Sequence, residues 1–164
     1  MATGVYKVTE EFEEELCKYT GAPYAVTVDN CSNALFLSLK YENVEGESVT
    51  IPSRTYPSVP CEIIHAGAYV EFEHIQGDTI TGAYQLKPTC VWDSALRFTH
   101  NMYIPGTHMC LSFTGPFKHF KLSKGGAILT DNRDAYEWFK RARYSGRREC
   151  SYHTDNLDMI GWNF

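Results

Sequence analysis

No GxGxxG, GxxxxGKS, GxxxxGKT or GxSxG occurs in the 164 residues, so glycine-built dinucleotide and triphosphate loops and the hydrolase serine elbow have no support. Six cysteines (Cys17, Cys31, Cys61, Cys90, Cys110, Cys150) stand without CxxC spacing, and six histidines without a paired ligand spacing. Metal ribbons and dithiol redox motifs therefore have no basis in the spacing, and no metal ligand is assigned. A secretory signal is missing, as is any apolar run long enough to cross a membrane, so the cysteines read as reduced, mostly buried thiols of a cytoplasmic protein. Positive charge is also short: fifteen basic against twenty acidic residues give −5, which argues against a nucleic-acid surface. The basic run Lys140, Arg141, Arg143, Arg147 and Arg148 is read as charge complementing a helix C-terminus.

What is present suits one domain with its own core. Apolar content of 43% and charge of 21% exclude a disordered or fibrous chain. Thr9 is placed to cap a helix from Glu10, with Phe12, Leu16 and Tyr19 as its apolar stripe and glutamates facing out. YAVTV (24–28) reads as a buried strand, Asp29 to Asn33 as turn and cap, and Ala34, Leu35, Leu37 and Leu39 as the next helix. SVTIP (48–52) and AYVEF (68–72) are strands around a helix opened by Pro57 and Pro60 and closed by Gly67. TITGAYQLKP (79–88) fits an edge strand or a loop equally. TCVWD, MCLSF and GAILT are strands, and Asp131 or Asn132 caps a last helix reaching about Tyr144, with Ala135, Trp138, Phe139 and Ala142 on its apolar face. The alternation of helices and strands implies a mostly parallel sheet covered by helices.

Three places in this order carry chemistry-bearing residues. Ser32 and Asn33 stand where a strand turns into a helix, a geometry that holds anions on free backbone N–H groups but equally calls for ordinary caps. Asp93 closes a strand, where ligands of open α/β sheets gather and where turn-forming aspartates are also common. Lys118, Lys121 and Lys124 lie on a loop between two buried strands, as a covalent catalyst or as solvated charge.

FEEELCKYTGAPYAVTVDNCSNAL, the TYPS segment, AGAYVEFEHI, VWDSA, LSF followed by KGGAILTD, and the final GWNF together resemble the DegT/StrS family of pyridoxal-phosphate-dependent sugar aminotransferases. The resemblance covers nearly the whole chain and implies a three-layer α/β sandwich with a mostly parallel central sheet, like the large domain of type I aminotransferases. Residues 1–164 would form one shortened large domain lacking the C-terminal small domain. Within it, Lys118, seven residues before Gly125, looks like the lysine of the internal aldimine. Asp93 resembles the carboxylate that pairs with the pyridine nitrogen, and Ser32, Asn33 and Ser112 the phosphate ligands. Tyr56 resembles the aromatic stacked on the ring, and Asn163 an asparagine that reaches the cofactor of a partner subunit in a homodimer. The implied reaction moves an amino group from an amino acid such as glutamate to a keto sugar, nucleotide-linked, for polysaccharide biosynthesis.

The chain also departs from the family. Four residues, TGPF, separate Phe113 from Lys118, one more than in the family. Leu96 stands where the family has Gln or His, and Lys124 where an acidic residue precedes the glycine pair. The span from Glu73 to Asp93 is too short for a strand–helix unit, and a long C-terminal domain is absent. Three functions remain open: a reduced aminotransferase, a split half that needs a second chain, and a non-catalytic remnant acting by binding or dimer contacts. His119, beside Lys118, leaves a dehydratase reading, because some members carry histidine for lysine.

Overall fold

The computed structural model describes residues 6–74, 82–115 and 123–164. Helix α1 (Lys7–Thr20) begins at Lys7 with no side-chain cap, so Thr9 lies inside its first turn and does not cap it. Packing moves the start: the Tyr6 ring meets Tyr144 edge-on at 5.9 Å, and the Tyr6 carbonyl accepts from Glu10 N at 3.0 Å. Gly21 ends the helix at φ +78°, a left-handed turn that glycine adopts without strain. Then follow β1 (Tyr24–Val28), α2 (Cys31–Tyr41), β2 (Ser48–Pro52), α3 (Ser58–His65) and β3 (Tyr69–Glu73). The second half holds β4 (Tyr84–Gln85), β5 (Val91–Asp93), β6 (His108–Ser112), β7 (Gly126–Thr130) and α4 (Arg133–Ala142). Asn132 caps α4 by accepting from Asp134 N and Ala135 N at 2.9 and 3.1 Å.

Five strands are ordered β1-β7-β6-β5-β4, and β2 pairs with β3 beside them. Relative to β1, β7 runs backward, β6 and β5 forward, and β4 backward. The antiparallel bridge from Thr50 to Lys87, just past β4, gives β2 and β3 the direction of β1. Five of these seven strands thus point one way, as a mostly parallel sheet requires, although only β5–β6 and β2–β3 are adjacent parallel pairs. Among the described residues, the span after β3 holds the β4–β5 hairpin and no strand–helix unit.

The sheet is covered on both faces, which makes three layers. Along β7, Ile128 joins a core built with α2, α3 and α4, whereas Ala127 and Leu129 join a second core with Leu16 of α1. This is the period-two alternation of a central strand, and each fully buried Leu or Ile contributes about 1.5–3 kcal/mol.

Glu13 corrects the expectation that the α1 glutamates face solvent: it is 5% exposed. Its Oε1 accepts from Thr27 N at 2.8 Å and from Thr27 Oγ1 at 2.9 Å, and Arg143 donates to the same oxygen. Arg143, also buried, donates to Thr27 O at 2.8 Å and to Glu149 Oε1 at 3.1 Å. The last residues cross the end of α4: Trp162 N donates to Ala142 O at 2.6 Å and Phe164 N to Arg143 O at 3.0 Å. Of the six cysteines, none of them in a disulfide, only Cys31 and Cys110 are buried and Cys61 is exposed, which narrows the expectation of mostly buried thiols. Cys61 is on α3, whose buried side chains are Val59 and Ile63, so its thiol falls on the outer side.

Candidate active site

A cavity of about 860 Å³ opens beyond the C-terminal ends of β5 and β6, between the first turns of α2 and α3. It brings together Ser32, Tyr56, Asp93 and Ser112, four of the residues singled out from the sequence, and adds Arg54 and Tyr84. The pairing of Ser112 with Gly126 holds β6 and β7 in register at this end. Gly126 has a steric reason to be glycine: a Cβ there would lie 2.5 Å from the Asn30 carbonyl carbon and 2.7 Å from Cys31 N. Without a side chain, β7 runs directly against the start of α2.

That start is organised by side chains. The Asn30 amide oxygen accepts from Asn33 N at 2.8 Å, and the Ser32 and Ser58 hydroxyls share a hydrogen bond of 2.7 Å across to α3. Ser32 lines the cavity. Asn33 is not among the lining residues; its amide donates to Asp29 Oδ1 at 2.5 Å, so it serves the turn. Lys124 pairs with Asp29 Oδ2 at 2.8 Å, an exposed ion pair of the kind that contributes about 0–1 kcal/mol.

Asp93 is 6% exposed, and its carboxylate is held from two sides. Oδ1 accepts from Ala95 N and Oδ2 from the Tyr84 hydroxyl, both at 2.8 Å. The Tyr84 hydroxyl also bonds Thr55 Oγ1. Burial and the charge of Asp93 raise the Tyr84 hydroxyl pKa far above the ordinary tyrosine value, so it donates to the carboxylate across the neutral range. Sequence reasoning missed Tyr84 because it falls in the segment that fits a strand or a loop. The signal was its register: in an antiparallel β4–β5 hairpin Tyr84 stands opposite Asp93.

The shift gives a prediction for alkaline pH. Because the folded-state pKa is raised, unfolded chains lose the Tyr84 proton first, near the unperturbed pKa of about 10. Stability attributable to this group is therefore present below about pH 10 and lost as pH rises through it. Urea midpoints should fall between pH 8 and pH 10.5 in the wild type, and fall less in Tyr84→Phe, which at pH 8 is itself less stable by about 1–3 kcal/mol for the lost donor. Equal slopes in both proteins would refute the assignment.

Leu96 lies on the cavity wall and is half exposed. Asn163 is not on that wall: it is exposed, bridges Tyr144 antiparallel, and borders a separate cleft with Tyr6 and Arg143. Lys118, with His119 and Lys121, lies outside the described residues.

Comparison with known proteins bears on the family and on the fold. Residues 2–87 match the model of the DegT/DnrJ/EryC1/StrS aminotransferase family. Over 72 residues the chain is 38% identical to the spore coat polysaccharide biosynthesis protein SpsC of Bacillus subtilis, covering 43% of this chain and 18% of SpsC. It is 36% identical over 76 residues to the UDP-4-amino-4,6-dideoxy-N-acetyl-beta-L-altrosamine transaminase of Campylobacter jejuni, covering 46% of this chain and 20% of that protein. Its fold superposes on Helicobacter pylori PseC, an aminotransferase of pseudoaminic acid biosynthesis, with a TM-score of 0.72 at 17% identity, covering 94% of this chain and 53% of that one. DesV of S. venezuelae gives 0.74 at 20% identity, with 94% and 51% covered. The chain thus spans about half the length of these solved structures, which share its fold. The match to the family model takes in more than half of the chain, from α1 to the bridge at Lys87, and on that ground the protein belongs to the DegT/DnrJ/EryC1/StrS aminotransferase family, whose members depend on pyridoxal phosphate.

Proposed function

We propose that this chain forms a large domain of the aminotransferase kind, binds pyridoxal phosphate in the cavity and moves an amino group from an amino acid, glutamate in the simplest case, to a nucleotide-linked keto sugar. The observation that carries the reading is the convergence of Ser32, Tyr56, Asp93 and Ser112 on one cavity in a member of this family. The donor set fits the cofactor. A buried carboxylate suits a protonated ring nitrogen, two hydroxyls beside a helix N-terminus suit a phosphate, and Leu35 and Val59 supply apolar wall.

When bound, pyridoxal phosphate supplies an electron sink for charge developing on the substrate carbon. Asp93 holds the proton on the ring nitrogen, and Tyr84 and Ala95 N keep its carboxylate oriented. Ser32, Ser112 and the first turn of α2 anchor the phosphate, and Tyr56 packs on the ring. Lys118 would be the residue that holds the cofactor covalently, and its Nζ would carry the proton at the substrate carbon. A free lysine would have to lose a proton bound with pKa about 10.4, which costs about 4–5 kcal/mol at pH 7, and attachment to the cofactor would lower that cost. Asn163 is assigned to the cofactor of a second copy in a homodimer, a role its exposure supports. No helix of the described residues is long and apolar enough to cross a membrane, and free cysteines support a cytoplasmic setting.

Isotopic transfer tests the reaction. With ¹⁵N-glutamate and nucleotide-linked keto sugars, the amino sugar product should carry the label, and a chain that neither binds the cofactor nor transfers label would refute the proposal. In a second reading, part of the site comes from a second chain. Cofactor binding without turnover, with turnover restored by that partner, selects it. Ser32→Ala should weaken pyridoxal phosphate about ten- to a hundredfold, as expected for one hydrogen bond to a charged group, and leave pyridoxal unaffected in equilibrium dialysis. Equal loss for both ligands would move the phosphate elsewhere.

A further inference from the structure

At the opposite end of the sheet from the cavity, three residues far apart in sequence meet. Glu42 ends α2, Cys90 precedes β5, and His108 opens β6. The β5–β6 ladder fixes two of them as neighbours, since His108 N donates to Cys90 O at 2.9 Å. Helix α2 packs across these strands and delivers Glu42 over them. The carboxylate oxygen, the thiol sulfur and the imidazole nitrogen lie within 4.8 Å of one another.

The histidine is set as a ligand would be. His108 is 3% exposed, with its ring held edge-on by Tyr41 at 5.6 Å and Phe139 at 5.3 Å. Its Nδ1 lies 3.0 Å from Thr130 Oγ1, itself fixed by accepting from Asn132 N at 3.1 Å. Its Nε2 faces Glu42 Oε1 at 3.5 Å. When Nδ1–H donates to Thr130, Nε2 keeps its lone pair toward Glu42 and Cys90, the arrangement that outer hydrogen bonds impose on metal-bound imidazoles. Glu42 and Cys90 are only partly buried, so the trio has a path to solvent, from which a water can come as fourth ligand.

We infer that Glu42, Cys90 and His108 form a binding site for a single divalent cation of borderline softness, Zn²⁺ by ligand type. Thiolate and imidazole disfavour Mg²⁺ and Ca²⁺, whereas one sulfur, one nitrogen and one carboxylate oxygen suit zinc, with bonds of about 2.0–2.3 Å. The three groups close by roughly an ångström to reach those bonds, well within side-chain rotation. On binding, the Zn–S bond replaces the S–H bond and the thiol proton passes to solvent. The ion sits between the His108 Nε2 lone pair and the Glu42 carboxylate, and Nδ1–H remains on Thr130. Distance from the cavity makes the site structural, tying the end of α2 to the starts of β5 and β6.

Metal titration of the 164-residue chain decides this. After EDTA treatment, one equivalent of Zn²⁺ should bind in competition with a chromophoric chelator. Co²⁺ in its place should show the intense near-ultraviolet band of a cobalt–thiolate bond. Cys90→Ser should remove that band, and Glu42→Gln, at the accessible edge, should weaken zinc about tenfold or more with circular dichroism unchanged. Because His108 is buried and its variants are prone to misfold, these two substitutions carry the test. Failure to bind one equivalent at micromolar zinc, a cobalt spectrum without the thiolate band, or binding unaltered by both substitutions overturns the site.

Discussion

Lys118→Ala should leave the protein colourless with pyridoxal phosphate, where the wild type gains a visible band, and should lower amino transfer by at least about a thousandfold. The magnitude combines loss of the covalent attachment with loss of the proton carrier, since a positioned general base alone contributes about 10²–10⁴. Lys121→Ala and Lys124→Ala are the controls. Lys124 is engaged with Asp29 at 2.8 Å, so its removal should change stability by no more than the small worth of an exposed ion pair. An absorption band unaltered in Lys118→Ala, or lost equally in all three variants, would remove Lys118 from the reaction. A band carried by a His119-dependent complex would favour the dehydratase reading.

Arg143→Ala should destabilise the fold by about 3–5 kcal/mol, the cost of leaving a buried charge without its partner. For a domain of this size that corresponds to a fall in Tm of roughly 10 °C. The arginine is shared by Glu13, Thr27 and Glu149, so a single truncation unties α1, β1, α4 and the tail together. The double variant Glu13→Gln/Arg143→Met should recover much of the loss, because both charges go. Urea unfolding of the four proteins in the cycle measures the coupling; additive effects would show that the pair acts independently.

Much of the frame is legible in the sequence, for a physical reason. YAVTV, SVTIP and GAILT are dense apolar or β-branched runs bounded by turn residues, and the structure has β1, β2 and β7 at those bounds. Asp93 and Ser32 are legible because a strand end and a helix start mark where ligands gather. Glu13 is not, since a glutamate among glutamates on a helix reads as solvent-facing until Arg143 is brought over it. Arg143 hides in a basic run for the converse reason, and Tyr84 in a segment of mixed period. The trio of Glu42, Cys90 and His108 has no local spacing to detect, because α2 and the β5–β6 ladder assemble it from distant positions. The matched family segment ends at Lys87, before Asp93 and Ser112, so their functional placement rests on where the strands end.

The pairing of β1 with β7, Tyr24 opposite Thr130, also sets a clock for synthesis. Chains grow at about 5–20 residues per second, so β1 emerges from the ribosome roughly five to twenty seconds before β7, its sheet neighbour among the described residues. During that interval a strand of tyrosine, valine and threonine has an open edge on which other strands can add. Contacts of such long range are also the slow ones to close. The wait between β1 and β7 is thus the interval in which that edge is open to pairing with other chains.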